Sequence, residues 1–396
     1  MKFSFCFTNV KNKRVNFVGN LSIPMDRHKY ETHRINDISG RYFPPDTLDR
    51  ILQKLPGNPN TTEVGKSVSG LPIYKVRLGN GPIRVLMWSQ MHGNESTTTK
   101  AVLDLMHYLL SGSREVEFLK GQLTIDMLPM LNPDGSLAYT RENANGTDLN
   151  RDAHQRKEPE SEVLRACYEK FQPHFCLNLH DQRTIYSLGA SPIPATLSFL
   201  APSADAARGL PENRVRAMEL IAAIAQDLRE VLPGGIGRYD DSFNPNCVGD
   251  QFQMDGAATL LFEAGHFPGD YSREHTRFFV FRALLSCLNR IADGSYASFS
   301  TAHYLSLPAN GKLLVDLRIR NAGHLFPHFG QDEDLAIQYR EVLRDGRIHW
   351  VPEWPEEDLT EGRYGHREWD AAREADREEI LKTPGLLRLL EKGQSS

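Results

Sequence analysis

The chain predicts an α/β fold of three layers, α/β/α, around a mixed, largely parallel central sheet, with a small C-terminal β-containing appendage. Three observations predict it. Apolar strand-like runs alternate with amphipathic helical segments between residues 62 and 292, as in strands joined by crossover helices. The run Ile83 to Gln90 is nearly all apolar, which suits a central strand buried on both faces. After about residue 298 the alternation gives way to short β-like runs and a charge-rich tail.

In order, residues 1 to about 40 are polar and aperiodic and read as an extension with little structure of its own. A Pro-Pro step at 44–45 precedes a short amphipathic helix, Asp46 to Leu55. Thr62 to Leu78 reads as a hairpin turning at Ser69-Gly70. Ser96 to Leu110 carries Ala101, Val102, Leu105 and Leu109 at helical spacing. Gln122 to Pro129 is a strand that ends in the turn residues Asn132-Pro-Asp-Gly. Ser161 to Phe171 is helical and His174 to His180 a strand; Arg214 to Val231 is an amphipathic helix, followed by a Gly-rich polar loop. Ala257 to Glu263 is a buried strand ending in an acid, and Arg273 to Ala292 the last strong helix. Beyond it, Lys312 to Arg320 reads as a strand. Leu335 to Leu343 and Arg347 to Val351 form a hairpin around Asp345-Gly346, and Glu356 to Ser396 is mostly helical or frayed. The expected division is 1–44 as N-terminal extension, 45–298 as main domain and 299–396 as C-terminal region.

Composition narrows the function classes. Hydrophobic content of 40% and charged content of 24% are ordinary for a globular protein. A net charge of −5 leaves no basic footprint for nucleic acid. No apolar run approaches the ~20 residues that span a bilayer, so neither nucleic acid nor membrane is an expected partner. The Phe-rich start is broken by Ser4, Thr8 and Asn9 and lacks the apolar core of a signal peptide. Cys6, Cys167, Cys176, Cys247 and Cys287 are odd in number and scattered. They read as free thiols in a reducing compartment, and a cytoplasmic location is the expectation.

The chemistry concentrates at strand ends. After the strand Val85 to Gln90 comes His92-Gly-Asn-Glu95, and a histidine and a carboxylate three residues apart on a turn can address one metal ion. Zinc takes such nitrogen and oxygen ligands, and its catalytic sites use three protein ligands with a fourth position open. His180, at the end of the next apolar strand, is the candidate third. The similar pair His28 and Glu31 lacks a strand before it and is set aside. Glu263 follows six apolar residues, where a lone charge is costly to bury, so a functional carboxylate is the better reading. Active sites of open α/β folds gather at the carboxyl ends of strands, where all four residues stand. Between them, Arg141, Asn150 and Arg151 lie in a Gly-punctuated loop. Arginine's planar fork suits a carboxylate.

With these residues in place, the chain resembles the M14 zinc carboxypeptidases of the carboxypeptidase A type, in particular the shorter bacterial and cytosolic members. The resemblance rests on the ordered set His92-x-x-Glu95, Asn132-Pro-Asp-Gly135, Arg141, Asn150-Arg151, His180 and Glu263, over about residues 62–290. It implies one zinc held by His92, Glu95 and His180, with Glu263 as general base for the attacking water. It further implies that Arg141 stabilises the oxyanion and that Asn150 and Arg151 grip the substrate's terminal carboxylate. Tyr239 stands near the place of the family's mobile-loop tyrosine. Asp181-Gln182 departs from the small or aromatic residues of the digestive enzymes, and Asp250 is a candidate for favouring a basic side chain. The implied substrate is a peptide or N-acyl amino acid with a free carboxylate. Alternatives are a zinc-dependent N-acyl amino acid deacylase, similar to succinylglutamate desuccinylase and aspartoacylase, and a non-catalytic binding module on the same fold.

Overall fold

The computed structural model describes residues 26–57, 59–355, 364–383 and 385–392. The chain runs through α1 (Arg27–Glu31), α2 (Pro45–Lys54), β1 (Asn60–Lys66), β2 (Pro72–Gly79), β3 (Ile83–Ser89), α3 (Thr97–Leu109), α4 (Arg114–Gln122), β4 (Leu123–Leu128) and α5 (Pro133–Ala138). It continues through α6 (Pro159–Phe171), β5 (Phe175–Asp181), β6 (Ser187–Leu188), β7 (Leu197–Leu200), α7 (Glu212–Leu228), β8 (Ile236–Arg238), α8 (Val248–Met254), β9 (Ala258–Ala264) and α9 (Glu274–Asp293). The C-terminal part holds α10 (Thr301–Leu305), β10 (Asn310–Gly311), β11 (Leu314–Arg320), β12 (Leu335–Arg344), β13 (Arg347–Glu353), β14 (Tyr364–Asp370), α11 (Glu374–Lys382) and α12 (Leu386–Lys392).

Eight strands make one sheet in the order β1-β2-β4-β3-β5-β9-β7-β8. Its centre, β4-β3-β5-β9, is parallel, while β1 and β2 join antiparallel at one edge and β7 runs antiparallel to β9. The mixed α/β fold expected from the alternation is therefore present. The central strands are the apolar ones: β5 is buried along its whole length, because both faces are covered. Side chains alternate across a strand. Leu177 and Leu179 join the larger core under α3, α7 and α9, and Cys176 joins a second core with Val248 and Phe252 of α8 and Leu164 of α6. This alternation later decides which side of the sheet each functional residue faces.

Three local expectations are corrected. The N-terminal segment is not loosely attached: from residue 26 onward it is packed, with Tyr30, Ile38 and Phe43 in the main core. The buried Asp104 carboxylate accepts from Tyr30 Oη (2.7 Å), the Ile35 N–H (2.8 Å) and Arg277 Nε and Nη2 (2.7 and 2.6 Å). Arg277 also donates to the Ile35 and Ile38 carbonyls. A polar segment thus buries its backbone against two charges from α3 and α9, which no local periodicity reveals. Residues 1–25 lie outside the described residues. The tail, expected mostly helical or frayed, holds the helices α11 and α12 but also supplies the strand β14, which pairs in parallel with β11; residues 356–363 lie outside the described residues. The polar loop after α7 contains the short strand β8 and the helix α8.

A separate four-stranded sheet, β13-β12-β11-β14, has its own core of Leu317, Ile337, Trp369, Ile380 and Leu386. The hairpin at Asp345-Gly346 is present, with both residues at positive φ, as a type I′ turn requires. Among the described residues, no helix is long and apolar enough to cross a membrane, and Cys167, Cys176, Cys247 and Cys287 are free.

Asp104→Ala removes the closer of the two carboxylates paired with the fully buried Arg277 guanidinium, leaving Glu274 at 3.2 Å, so it is expected to destabilise the fold by about 3 kcal/mol, against a smaller loss for Tyr30→Phe. Urea unfolding of the two variants beside the wild type checks this order.

Candidate metal centre and cleft

The first candidate ligands sit on a turn that neighbouring backbone holds in shape. β3 ends at Ser89, and Gln90 takes a left-handed φ of 49°, which swings the chain into His92-Gly93-Asn94-Glu95. Asn132 braces this turn. Its Nδ2 donates to the Met91 carbonyl (3.1 Å), and its Oδ1 caps α5 by accepting from the Gly135 N–H (2.8 Å). Gly93 lies so close to Gly135 that an added Cβ would meet the Gly135 carbonyl carbon at 1.8 Å. The Asn-Pro-Asp-Gly motif is therefore the support beneath the candidate ligand turn, and it opens a short helix rather than a simple turn.

β5 runs parallel to β3 and delivers His180 beside the turn. Glu95 lies between the histidines, with Oε1 2.8 Å from His92 Nδ1 and Oε2 2.8 Å from His180 Nδ1. The two Nδ1 atoms are 3.2 Å apart, and all three side chains are buried. The three ligand atoms lie within 4.8 Å of one another. Zinc ligands at ~2.0–2.1 Å in tetrahedral array stand roughly 3.3 Å apart, so the donor set and its spacing fit a zinc ion. Among the described residues this is the one such cluster of three.

Asp148 and Arg141 surround the cluster. His92 Nε2 contacts Asp148 Oδ1 (2.9 Å), which fixes the ring and leaves Nδ1 facing Glu95. Arg141 donates to Asp148 Oδ2 through Nε and Nη2 (3.1 and 3.0 Å), while its Nη1 lies 3.5 Å from Glu95 Oε1. Burial opposes charge on Asp148, but His92 and Arg141 outweigh it and hold the carboxyl far below its usual range. Such partners orient metal-ligating histidines. Asp148 lay in the polar loop singled out in the sequence, yet nothing local distinguished its role from that of its neighbours.

Glu263 stands opposite His180 in the β5–β9 register. Its Oε2 is buried without a hydrogen-bond partner. Burial, then the negative charges of Glu95 and Asp181, push its carboxyl well above the usual range. The cluster and Glu263 open into one cleft of about 840 Å³. Asn150 and Arg151 line it as well. Asn150 Oδ1 accepts from the Val248 N–H at the start of α8 (3.0 Å), and the Arg151 side chain donates to the Asn150 carbonyl (2.8 Å) and Cys247 Sγ (3.2 Å). Tyr239 lines the cleft with its hydroxyl 2.8 Å from that of Tyr186. All eight residues singled out for the site thus border one space.

The sequence reading missed Arg41 and Asn178, which line the same cleft. Asp181 and Gln182 line the cleft and are held by the fold around it. The Asp181 carboxylate accepts from the Thr97 and Thr98 N–H groups at the start of α3 (3.0 and 3.3 Å) and from Arg41 Nη1 (2.5 Å). Gln182 donates to the Ala195 carbonyl (2.7 Å). Arg41 comes from the segment expected to be an unstructured extension. Deeper in the cleft, both amide atoms of the buried Asn178 side chain lack partners. Asp250 lies in the same wall, its carboxyl pushed up to about 6 by burial.

Residues 46–184 match the family model of the zinc carboxypeptidases, Peptidase_M14. The match covers about a third of the chain. Carboxypeptidase E of Caenorhabditis elegans is 31% identical over 128 residues, which cover 26% of this chain and 27% of that protein. Gamma-D-glutamyl-L-diamino acid endopeptidase 1 of Lysinibacillus sphaericus is 33% identical over 82 residues, 19% of this chain and 21% of that protein. The matches thus span about a quarter of the length of these curated relatives. Among solved structures, a metallo-carboxypeptidase from Burkholderia cenocepacia superposes with a TM-score of 0.52 at 18% identity, over 64% of this chain and 70% of that one. A Pseudomonas aeruginosa metallo-carboxypeptidase in complex with (2-guanidinoethylmercapto)succinic acid gives 0.51 at 15% identity, over 63% and 69%. These likenesses show the carboxypeptidase-like α/β fold.

Asp250 yields a pH prediction. The native carboxyl keeps its proton to higher pH than the unfolded one, so its ionisation opposes folding as pH rises from the model-peptide value of 3.8 through about 6. Asp250→Asn is expected to raise stability by roughly 1–2 kcal/mol at pH 7 and to have little effect near pH 4. Urea unfolding at the two pH values measures the difference.

Proposed function

We propose that the protein is a metallocarboxypeptidase: a zinc-dependent hydrolase that cleaves a peptide or amide bond next to a free carboxylate. The observation that carries this reading is the convergence of His92, Glu95 and His180 with Glu263 and Arg141 in one cleft. The match of residues 46–184 to the zinc carboxypeptidase family model supports it.

In this reading His92, Glu95 and His180 hold the zinc, with Asp148 orienting His92. A zinc ion held there polarises a carbonyl and makes a water molecule more acidic. The chain's own groups do the rest. Glu263, with one oxygen free of any hydrogen bond and a carboxyl made more basic by its surroundings, takes the proton of the attacking water and passes it to the leaving amine. Arg141 places a cation beside the oxygen on which negative charge develops. Arg151, whose guanidinium reaches the exposed side of the cleft, pairs with the substrate's terminal carboxylate, and Asn150 assists through its amide. Tyr239 borders the leaving residue. Asp250 and the unpartnered amide of Asn178 are available to a polar or cationic side chain on that residue.

Cleft size favours peptides over N-acyl amino acids. A space of about 840 Å³ is near the upper end of the ~300–1,000 Å³ typical of small-molecule sites, and a deacylase of small acyl amino acids needs less. The paired arginines and the basic Glu263 likewise favour an enzyme over a binding module.

The wild type is expected to carry near one zinc per chain by elemental analysis and His180→Ala to lose most of it. Retained zinc in that variant would remove His180 from the ligand set. Glu263→Gln is expected to keep zinc while hydrolysis of a peptide panel falls by about 10²–10⁴-fold. If the wild type cleaves N-acyl amino acids and no peptide, the deacylase alternative replaces the peptidase.

A further inference from the structure

The cleft has two ends, and the roles above account for one. Asn150 and Arg151 lie with α8 over one face of the sheet, the face that Cys176 also meets. The other end lies over the opposite face. There Arg41 donates to Thr97 Oγ1 at the start of α3 (2.7 Å), and Arg273 precedes α9 while donating to the Ala264 and Gln182 carbonyls (2.7 and 3.0 Å). The metal-type residues stand between, at the strand ends. The second end is bounded by the C-terminal sheet: Gln338, Tyr339, Arg340 and Glu341 of β12, with Glu353 of β13, line the same cleft as His92 and Glu263.

β12 is fixed in that place. The Glu341 carboxylate accepts from Arg41 Nε (3.1 Å) and from the Tyr139 hydroxyl, and Arg41 bonds Asp181, the neighbour of His180. The fully buried Asp316 of β11 accepts from the Tyr339 N–H (2.7 Å), from Tyr271 Oη (2.8 Å) and from the Gln338 amide. The Leu314 N–H donates to the Ile185 carbonyl (3.2 Å), and His366 Nε2 lies 2.8 Å from the Thr184 carbonyl. Burying Asp316 and Arg41 with these partners ties the position of the strand to the shell of the metal centre, since an unpaired charge at either place is costly.

We infer that β12 is the wall against which the acyl side of the substrate packs, and that Tyr339 and Arg340 determine how far a substrate extends beyond the scissile bond. The inference rests on the reading that Asn150 and Arg151 take the terminal carboxylate. A substrate anchored there over the α8 face passes Glu263 at the strand ends, and its acyl portion arrives at β12. Tyr339 offers a half-buried ring packed edge-on against Tyr271 (5.6 Å). Arg340, paired with Glu353 Oε2 at 2.7 Å, closes the rim. The wild type therefore favours substrates with a short acyl part, and the C-terminal sheet is a specificity element of the site.

The test uses the zinc-loaded full chain, Arg340→Ala and Tyr339→Ala, with thermal unfolding to confirm that each is folded. Arg340 is exposed, so its variant keeps the fold even if loss of the Tyr339 ring does not leave it intact. One substrate series lengthens the acyl part residue by residue with a constant C-terminal residue. A second varies the C-terminal residue with a constant acyl part. The expected result is that kcat/KM for long acyl parts, relative to short ones, rises roughly tenfold in the variants, while the order of preference in the C-terminal series stays as in the wild type. An unchanged acyl-length profile in folded variants overturns the inference, as does an equal change in both series. No turnover of any substrate by the wild type overturns the peptidase reading itself, and the wall with it.

Discussion

Three electron-rich side-chain atoms held within 4.8 Å of one another are the constraint on which the rest of the structure depends. Two imidazole nitrogens and a carboxylate do not gather in a protein interior unprompted, because each loses hydration and must be held by others. The parallel pairing of β3 and β5 places His180 beside the turn carrying His92 and Glu95. Asn132 and the contact of Gly93 with Gly135 hold that turn, and Asp148 and Arg141 hold His92.

A second layer of charge surrounds the first. Asp181 caps α3, receives Arg41, and sits one residue after a candidate ligand. Arg41 then passes the connection to Glu341 in the C-terminal sheet. Asp104 and Arg277 do the same work farther out, binding residues 30–38 to α3 and α9. These buried pairs are not evidence of high stability, since the cost of removing charges from water offsets their attraction. Their consequence is positional. They fix the N-terminal segment and the C-terminal sheet to the same domain that carries the candidate metal ligands, so the two flanking regions belong to the architecture of the cleft.

The separation of the two faces of the sheet organises the chemistry. Because side chains alternate along β5 and β9, Asn178, His180, Leu261 and Glu263 share the α8 side, while Leu177, Leu179, Leu260 and Phe262 join the core beneath α3, α7 and α9. A cleft across the strand ends therefore has one wall built by α8 and its preceding loop and another built by Arg41, Arg273 and β12. Arg141 lines the same cleft, held by Asp148 beside Glu95.

The sequence by itself determined the layered α/β fold, the ligand turn, His180, Glu263 and the arginine loop. These signals are local: apolar runs mark the central strands, and costly polar residues at their ends stand out against them. It also determined the hairpin at Asp345-Gly346, because that turn requires particular backbone angles. Tertiary structure alone decided the rest. Arg41, Asp148, Asp181, Arg273 and Glu341 are ordinary charged residues in sequence, and their meaning comes from partners far along the chain or on other elements. Tyr30 and Ile38 read as part of a polar extension because a segment buried by hydrogen bonds to Asp104 and Arg277 needs no apolar period of its own. β14 read as tail because its pairing with β11 is a long-range contact that leaves no short-range pattern. The position of β12 at the cleft was decided by the buried charges of Asp316 and Arg41, which only the folded chain brings to their partners.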